Sequence, residues 1–323
     1  MIVRPPVLAG VELGGTKCIC VLGTGPDEII RSERVATGAP DVTLGQISDI
    51  LHRWRSEYGL PAALGISSFG PLELRPSAPA YGTVRSSVKR GWQDVPLLAR
   101  LSNGWDIPVG LDTDVNGAAL AEARWGAAKD LADFAYVTVG TGIGVSLVVG
   151  GRLAGGCSHS ELGHIRVARA QSDTWPGVCP YHGDCVEGLA SGPAIASRAG
   201  APAAELAADA LEWRLAAHAL GQLMHVITFA TVPERILVGG GVAEGRPEIL
   251  AYTRDALVES INGFVDLESL VGDISGFVIP PGLGALAGPL GALAVAAEAL
   301  ERAKSSDRVA TEQRDIRDRG LRR

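Results

Sequence analysis

The densest group of chemically active side chains in the sequence is the run Cys179-Pro-Tyr-His182-Gly-Asp-Cys185. Thiols and imidazoles are the side chains that bind zinc in structural sites. A single Cys or His is more often an ordinary core or surface residue, but three of them so close together favour a metal site.

A fourth Cys or His from upstream would complete a four-coordinate zinc site. We favour His164 as this ligand, with Cys157 and His159 as alternatives. Four protein ligands leave no open position for water, so the pattern predicts a structural metal and argues against a zinc hydrolase.

A candidate for acid–base chemistry is Asp114, within the segment Leu-Asp-Thr-Asp-Val-Asn-Gly at 111–117. Apolar residues at 108–111 predict a short strand, and the Ala-rich residues 116–129 predict a helix. Asp114 would then lie at the carboxyl end of a strand, where open α/β sheets bind ligands. The alternative is that Asp112, Asp114 or Asn116 only caps the helix.

Glycine-rich turns lie on both sides of Asp114 in the sequence. The first joins predicted strands at 7–13 and 18–23, the second joins strands at 135–139 and 143–149, and a third follows a strand at 235–238. Their residues are Gly14, Gly15, Thr16 and Lys17, then Gly140, Thr141 and Gly142, then Gly239, Gly240 and Gly241. Each could be an ordinary turn, but exposed N–H groups and hydroxyls can also hold a phosphate chain. The two hairpins are the nearest thing to an internal repeat, and together they predict a polyphosphate site.

The elements that position these residues alternate between strands and helices. A third strand at 28–37, a helix at 44–58 and a strand at 62–69 follow the first hairpin, which predicts a mixed sheet with crossover helices. Residues 72–96 lack periodicity and predict a long loop or lobe. Helices are predicted at 203–230, as one or two, at 247–264 and at 285–304, with a strand at 277–279; from Ser305 we expect a solvated or frayed charged tail.

Composition limits the classes of function. A chain of 323 residues predicts about two domains, and its formal net charge of −7 argues against nucleic acid as a partner. Two uncharged runs, 134–151 and 274–297, are too interrupted by Gly or Pro for membrane spans. The first residues lack the pattern of a secretory signal, and the five cysteines favour a reduced, cytoplasmic setting over a disulfide framework.

In this order the motifs resemble those of the ROK sugar kinases, within the actin–hexokinase–Hsp70 ATPase fold. The resemblance runs from about Gly10 to Ala297. The glycine turns at 14–17 and 140–144 are similar to the two phosphate loops of the family, and the turn at 239–241 is similar to its adenosine-side loop. Residues 112–116 resemble the catalytic segment. Residues 161–164, together with 179–187, resemble the zinc and sugar signature.

The resemblance implies an α/β fold with two RNase H-like (actin/hexokinase-type) domains, an interdomain cleft and a zinc-binding loop at 157–187. The N-terminal domain would span 1–115, with a C-terminal helix at about 290–304 packing back onto it. The C-terminal domain would span 116–289, and 305–323 would be a charged tail.

The implied activity is phosphoryl transfer from ATP to a hexose, with Asp114 as general base, Glu12 holding Mg²⁺ through water and a structural Zn²⁺. The implied sugar-binding residues are Gly70, Thr113, Asp114, Glu161, His164 and Glu187. The implied ATP-binding residues are Gly14, Gly15, Thr16, Lys17, Gly140, Thr141, Gly142, Gly144, Gly239, Gly240 and Gly241. The implied zinc ligands are His164, Cys179, His182 and Cys185.

Within the family, the spelling of the Cys/His run resembles the bacterial fructokinase branch, where many members have a third Cys in place of His182. Glu12, Thr113 and the Gly91-Trp92 pair point the same way, whereas Ser87-Val-Lys-Arg90 departs from the commoner Thr-Pro-Lys-Pro. We therefore expect a fructokinase making fructose 6-phosphate, as a homodimer. A broader hexokinase acting on mannose, glucose or an N-acetylated sugar, or a sugar sensor that no longer catalyses, are the alternatives.

Overall fold

The computed structural model describes residues 4–85, 89–171, 173–264, 266 and 272–320, with the side chains of 309–320 excepted. The chain forms two compact units. The first comprises Met1–Gly117 and Pro289–Arg323, and the second comprises Ala118–Gly288.

The first unit is built on a five-stranded mixed sheet. Its elements are β1 (Leu8–Leu13), β2 (Lys17–Gly25), β3 (Glu28–Ala36), α1 (Pro40–Tyr58), β4 (Leu64–Ser68), α2 (Leu97–Ser102), β5 (Val109–Thr113) and the start of α3 (Asp114–Trp125). The sheet order is β3-β2-β1-β4-β5, in which β1, β2 and β3 are antiparallel neighbours and β1, β4 and β5 are parallel. The apolar stripe of α1 is buried in the core beside this sheet.

The second unit contains another five-stranded sheet. Its elements are β6 (Phe134–Val139), β7 (Ile143–Val149), β8 (Arg152–Leu153), α4 (Val186–Ala190), α5 (Gly192–Ala199), α6 (Leu211–Thr231), β9 (Arg235–Gly239), α7 (Gly241–Gly245), α8 (Glu248–Ile261), α9 (Ile274–Phe277), β10 (Val278–Ile279) and the first residues of α10 (Ala287–Gly320). The sheet order is β10-β9-β6-β7-β8.

The two sheets share one connectivity. In each, the first strand pairs antiparallel with the second and parallel with the fourth, the third extends the hairpin, and the fifth lies parallel to the fourth. The repeat that the glycine turns suggested therefore extends to the whole of both sheets.

A row of glycines lets α10 approach the first sheet closely. Gly10, Gly65 and Gly110 are in register on β1, β4 and β5. A Cβ atom at Gly65 would lie 2.0 Å from the carbonyl oxygen of Ala292, and one at Gly110 would lie 2.7 Å from that of Val295. The helix thus packs on bare backbone, where no larger residue fits.

Several boundaries differ from those predicted. Helix α3 begins at Asp114 and ends at Trp125, while α6 is a single helix that begins only at Leu211. The residues after Ser305 continue α10 as far as Gly320. Arg, Glu, Gln and Ala are good helix formers and no Gly or Pro precedes Gly320 there, so the backbone is helical and not frayed, while a solvated tail stays a prediction.

One helix among the described residues, Gly284–Arg308, is long and apolar enough to cross a membrane, but 61% of its apolar window is buried inside the protein. This stretch includes the part of α10 that packs on the glycine row. A helix of a protein core meets the same criteria of length and composition.

The described residues of the predicted loop at 72–96 are mostly turns, but they are anchored to the first unit. Leu72 and Val84 form a β-bridge, and Trp92 is fully buried, with its Nε1 donating to the carbonyl oxygen of Gly38 at 3.0 Å. Ser87 and Val88, part of the departure from the fructokinase pattern, lie outside the described residues.

Candidate active site and metal centre

Polar side chains converge where the parallel strands of the first sheet end. Glu12, Ser67 and Asp112 are in register on β1, β4 and β5, and Thr113 and Asp114 follow directly. Partners in register on parallel strands point to the same face of the sheet. This edge therefore gathers three carboxylates, on Glu12, Asp112 and Asp114, at a position where α/β proteins bind ligands.

The start of α3 is fixed by its neighbours. Thr113 Oγ1 accepts a hydrogen bond from the N–H of Asn116 at 3.2 Å and so caps the helix. Asp112 Oδ1 accepts from Thr113 N–H at 2.8 Å and from Asn116 Nδ2 at 2.7 Å. Asp114 is the first helical residue and accepts from Val115 N–H at 2.8 Å. The capping role thus falls to Thr113, which is not one of the three candidates Asp112, Asp114 and Asn116.

Glu12 carries a carboxylate in an unfavourable environment. Its Oε2 is buried and has no hydrogen-bond partner among the described residues. Burial, and then the negative charge of Asp114, raise the pKa of Glu12 to about 7, against an opposing effect of Lys17. A carboxylate oxygen is a ligand that Mg²⁺ prefers, directly or through water, so this residue fits a cation that would offset its charge.

The first glycine turn is open to solvent. The N–H of Gly14 donates to the carbonyl oxygen of Lys17 at 3.0 Å, and residues 15–17 are exposed. Lys89 Nζ donates to the carbonyl oxygen of Gly15. Lys89 lies 74 positions from Gly15 in the sequence, so no local pattern predicts this contact.

Gly70 lies at the same edge of the first sheet. It follows Phe69, whose N–H donates to the carbonyl oxygen of Leu13 at 2.9 Å. Gly70 thus lies near the end of β1, two residues beyond Ser68, which is the register partner of Leu13.

The second glycine turn is held at both ends by one segment of chain. The N–H of Gly192 donates to the carbonyl oxygen of Gly140 at 2.8 Å, and the N–H of Ile143 donates to Glu187 Oε2 at 2.9 Å. A Cβ atom at Gly142 would lie 2.6 Å from Glu187 Oε2. The carboxylate of Glu187 and this turn are therefore in direct contact. Gly144 pairs with Thr138 just beyond it.

The third glycine turn admits only glycine at its central position. Gly240 has φ +92°, and a Cβ atom there would lie 2.6 Å from the carbonyl oxygen of Val139. A Cβ atom at Gly239 would lie 2.5 Å from the hydroxyl of Tyr136. Gly241 begins α7, so the turn follows β9 directly and lies beside β6.

Four side chains of the predicted zinc site lie together. The ligand atoms of His164, Cys179, His182 and Cys185 are all within 4.8 Å of one another. His164 Nδ1 lies 3.7 Å from Cys179 Sγ and 3.6 Å from Cys185 Sγ. Zinc bonds of about 2.3 Å to sulfur and about 2.0 Å to nitrogen place tetrahedral ligands roughly 3.6 Å apart, so the donor set fits zinc.

The alternative ligands lie outside this group. Cys157 is exposed, and His159 Nδ1 lies 3.3 Å from the carbonyl oxygen of Ser160 and 3.4 Å from Glu161 Oε1. His164 directs its other nitrogen, Nε2, towards Glu187 Oε1 at 3.9 Å. Of the three predicted sugar ligands of this unit, His164 thus belongs to the metal cluster, Glu187 lies beside His164, and Glu161 lies beside His159.

The chain is similar to known proteins over nearly its whole length. The sequence model of the ROK family matches residues 8–299. A Bacillus subtilis relative, whose description as a fructokinase is provisional, is 40% identical over 303 residues, covering 94% of this chain and 99% of its own length. A fructokinase of Pediococcus pentosaceus is 33% identical, over 92% of this chain and 100% of its own.

Among solved structures, the ROK hexokinase of Thermus thermophilus superposes with a TM-score of 0.72 at 27% identity, over 92% of this chain and 99% of that one. The mixed two-sheet α/β architecture is thus that of the ROK sugar kinases. On the family match and the extent of these similarities, the chain belongs to the ROK family.

Proposed function

We propose that the protein is an ATP-dependent hexose kinase that phosphorylates fructose on its 6-hydroxyl. The observation that carries the proposal is the position of Asp114, at the carboxyl end of β5 and close to Glu12, whose Oε2 has no hydrogen-bond partner among the described residues. The relatives named fructokinases, which align over nearly the whole chain, support fructose as the substrate.

Asp114 is proposed to accept the proton of the attacking hydroxyl. Phosphoryl transfer passes through a loose transition state, so catalysis depends mostly on alignment and on neutralising charge. A general base in such a reaction contributes about 100- to 10,000-fold. The capped start of α3 supports this role, because Thr113 and Asp112 fix the backbone that carries Asp114.

The glycine turns are proposed to hold ATP. The exposed first turn, Gly14, Gly15, Thr16 and Lys17, and the second turn, Gly140, Thr141 and Gly142 with Gly144, would bind the phosphates through backbone N–H groups. The third turn, Gly239, Gly240 and Gly241, would lie on the adenosine side. Glu12 would hold Mg²⁺ through water, and the cation would neutralise charge on the phosphates.

The hexose is proposed to bind Gly70, Thr113, Asp114, Glu161, His164 and Glu187 through hydrogen bonds to its hydroxyls. His164, Cys179, His182 and Cys185 would hold a structural zinc, whose chemistry is to fix its ligands in one arrangement. With Nδ1 on the metal side, the ring of His164 keeps Nε2 directed towards Glu187.

The proposal includes a cytoplasmic homodimer. The five free cysteines, two of them within the metal cluster, suit a reducing compartment in which thiols remain available as ligands.

The test is release of ADP by the purified, zinc-loaded protein with Mg-ATP and, in turn, fructose, mannose, glucose and N-acetylated hexoses. We expect the highest kcat/KM with fructose. Preference for another hexose would support the kinase activity but would replace fructose as the proposed substrate. No turnover with any sugar, from folded protein that binds ATP, would contradict the proposal and favour a sugar sensor.

A further inference from the structure

We propose that the segment from Cys185 to Gly192 is a brace that couples the Cys/His cluster to the second glycine turn, so that metal occupancy sets the affinity for nucleotide phosphates. The inference rests on the proposed function and extends it, because it gives Glu187 a role in ATP binding that does not require sugar.

The brace begins at a member of the metal cluster. Cys185 is the N-cap of α4, and its Sγ accepts a hydrogen bond from the N–H of Gly188 at 3.4 Å. Helix α4 packs without a gap against the loop Cys179–Gly183, since a Cβ atom at Gly188 would lie 1.9 Å from the carbonyl oxygen of Gly183. A shift of this loop must therefore shift the start of α4.

The brace ends at the glycine turn. Glu187 lies in the first turn of α4 and accepts from Ile143 N–H, at the far end of the glycine turn. The N–H of Ser191 donates to the carbonyl oxygen of Glu187 at 3.1 Å, and the next residue, Gly192, donates to Gly140 at the near end. Both ends of the turn are thus held by residues within a few positions of Cys185.

The segment between these contacts is rigid enough to transmit a displacement. Val186, Leu189 and Ala190 are buried in the core of the second unit. Buried side chains at native packing density move as a unit rather than independently. A second contact runs in parallel, from the cluster through His164 Nε2 to Glu187 Oε1 at 3.9 Å.

The first experiment is calorimetric titration with the non-hydrolysable analogue AMPPNP and Mg²⁺ in the absence of sugar. Glu187→Ala removes the acceptor for Ile143 N–H, and we expect its Kd to rise about fivefold to tenfold, the effect of one lost hydrogen bond. Glu187→Gln keeps an oxygen acceptor of the same length and is the matched control, with a smaller rise. A Glu187→Ala protein with the wild-type Kd would overturn the inference.

The second experiment tests the metal end of the brace. His182→Ala removes one ligand of the cluster, whereas His182→Cys replaces it with another zinc ligand. We expect His182→Ala to lose bound zinc and to weaken AMPPNP binding as Glu187→Ala does, and His182→Cys to retain both. Zinc content is measured by atomic absorption and folding by circular dichroism. Zinc-free, folded protein that binds AMPPNP as tightly as wild type would overturn the coupling.

The double variant His182→Ala/Glu187→Ala distinguishes a brace from two separate effects. If both substitutions act through one contact, their effects on Kd are not additive; additive effects would contradict the brace. Failure of the wild-type protein to bind AMPPNP at all would instead count against the proposed function itself, and so the two failures are distinguishable.

Discussion

The two halves of the molecule repeat one sheet but differ at the positions that carry chemistry. After the fifth strand of the first sheet the chain places Asp114, and after the fifth strand of the second it places Pro280 and Pro281. The penultimate residue of β1 is the acid Glu12, whereas the penultimate residue of its counterpart β6 is Thr138.

The first and second glycine turns also differ in their surroundings. The first is exposed and lies next to Glu12, whose buried Oε2 lacks a hydrogen-bond partner in the part of the chain that the structure describes. The second is closed by Glu187 and Gly192 through backbone hydrogen bonds. Equal local patterns thus lie in different surroundings: the first turn belongs to an edge rich in carboxylates, and the second is held in place by backbone hydrogen bonds.

The largest expected effect comes from replacing Asp114, the acid that follows the fifth strand of the first sheet and has no counterpart after β10. Asp114→Asn should lower kcat for fructose by about 100- to 10,000-fold, because the attacking hydroxyl would lose its proposed base. Binding of AMPPNP should be retained, as the capped start of α3 does not depend on this side chain. Steady-state kinetics and calorimetry measure the two effects, and a variant with wild-type kcat would refute the assignment.

The buried acid of the first sheet should make stability depend on pH in metal-free protein. The raised pKa of Glu12, about 7, favours the protonated form in the folded state, so its stabilising contribution is present below the unfolded pKa of about 4.5 and is lost as pH rises through 7. Between pH 5 and pH 8, the wild-type protein should thus lose roughly 2–3 kcal/mol in its free energy of unfolding relative to Glu12→Gln, whose amide does not titrate.

Urea unfolding at the two pH values measures this change. Glu57→Gln, at an exposed acid of α1, is the control and should show little change between them. A difference between wild type and Glu12→Gln that does not vary with pH would contradict a strongly raised pKa for this carboxyl.

The glycine row of the first sheet, which has α10 on its face, gives the next effect. Gly65→Ala would bring a methyl group against the backbone of Ala292 and should destabilise the protein by about 1–3 kcal/mol. Gly45 lies on the exposed face of α1, and a Cβ atom there would have no neighbour within 4 Å. Gly45→Ala should therefore stabilise the protein by about 0.5–1 kcal/mol. Equal urea midpoints for the two variants would show that α10 does not pack as described.

The smallest expected effect is the difference between alanine substitutions in the second and the first glycine turn. Gly142→Ala would place a methyl group 2.6 Å from Glu187 Oε2 and should raise the Kd for AMPPNP by about tenfold, the equivalent of 1.4 kcal/mol. A Cβ atom at Gly15 would have no neighbour within 4 Å, so Gly15→Ala should raise the Kd less. A larger effect at Gly15 would reverse the contrast between an open and a braced turn.

The sequence predicted the features that depend on local pattern. Alternating apolar residues and glycine turns gave both hairpins, and the spacing of Cys179, His182 and Cys185 gave the cluster that the structure brings together with His164. These signals lie within a few residues of one another, which is why they can be recognised without a structure.

The features that were missed depend on contacts between distant parts of the chain. The glycine row became visible only when β1, β4 and β5 were aligned in register, and the contact of Glu187 with the second turn joins residues 44 positions apart. The extension of α10 to Gly320 was missed for another reason, because charged residues without an apolar stripe were interpreted as unstructured despite their helix propensity.

The most direct test of the kinase assignment is the identity of the product. Fructose and Mg-ATP are incubated with the zinc-loaded protein, and the mixture is analysed by phosphorus and carbon NMR. We expect a new phosphate ester on the 6-carbon of fructose, formed with ADP in equal amounts and absent with Asp114→Asn. Release of inorganic phosphate without a sugar ester, or no reaction from folded protein that binds the nucleotide, would contradict it.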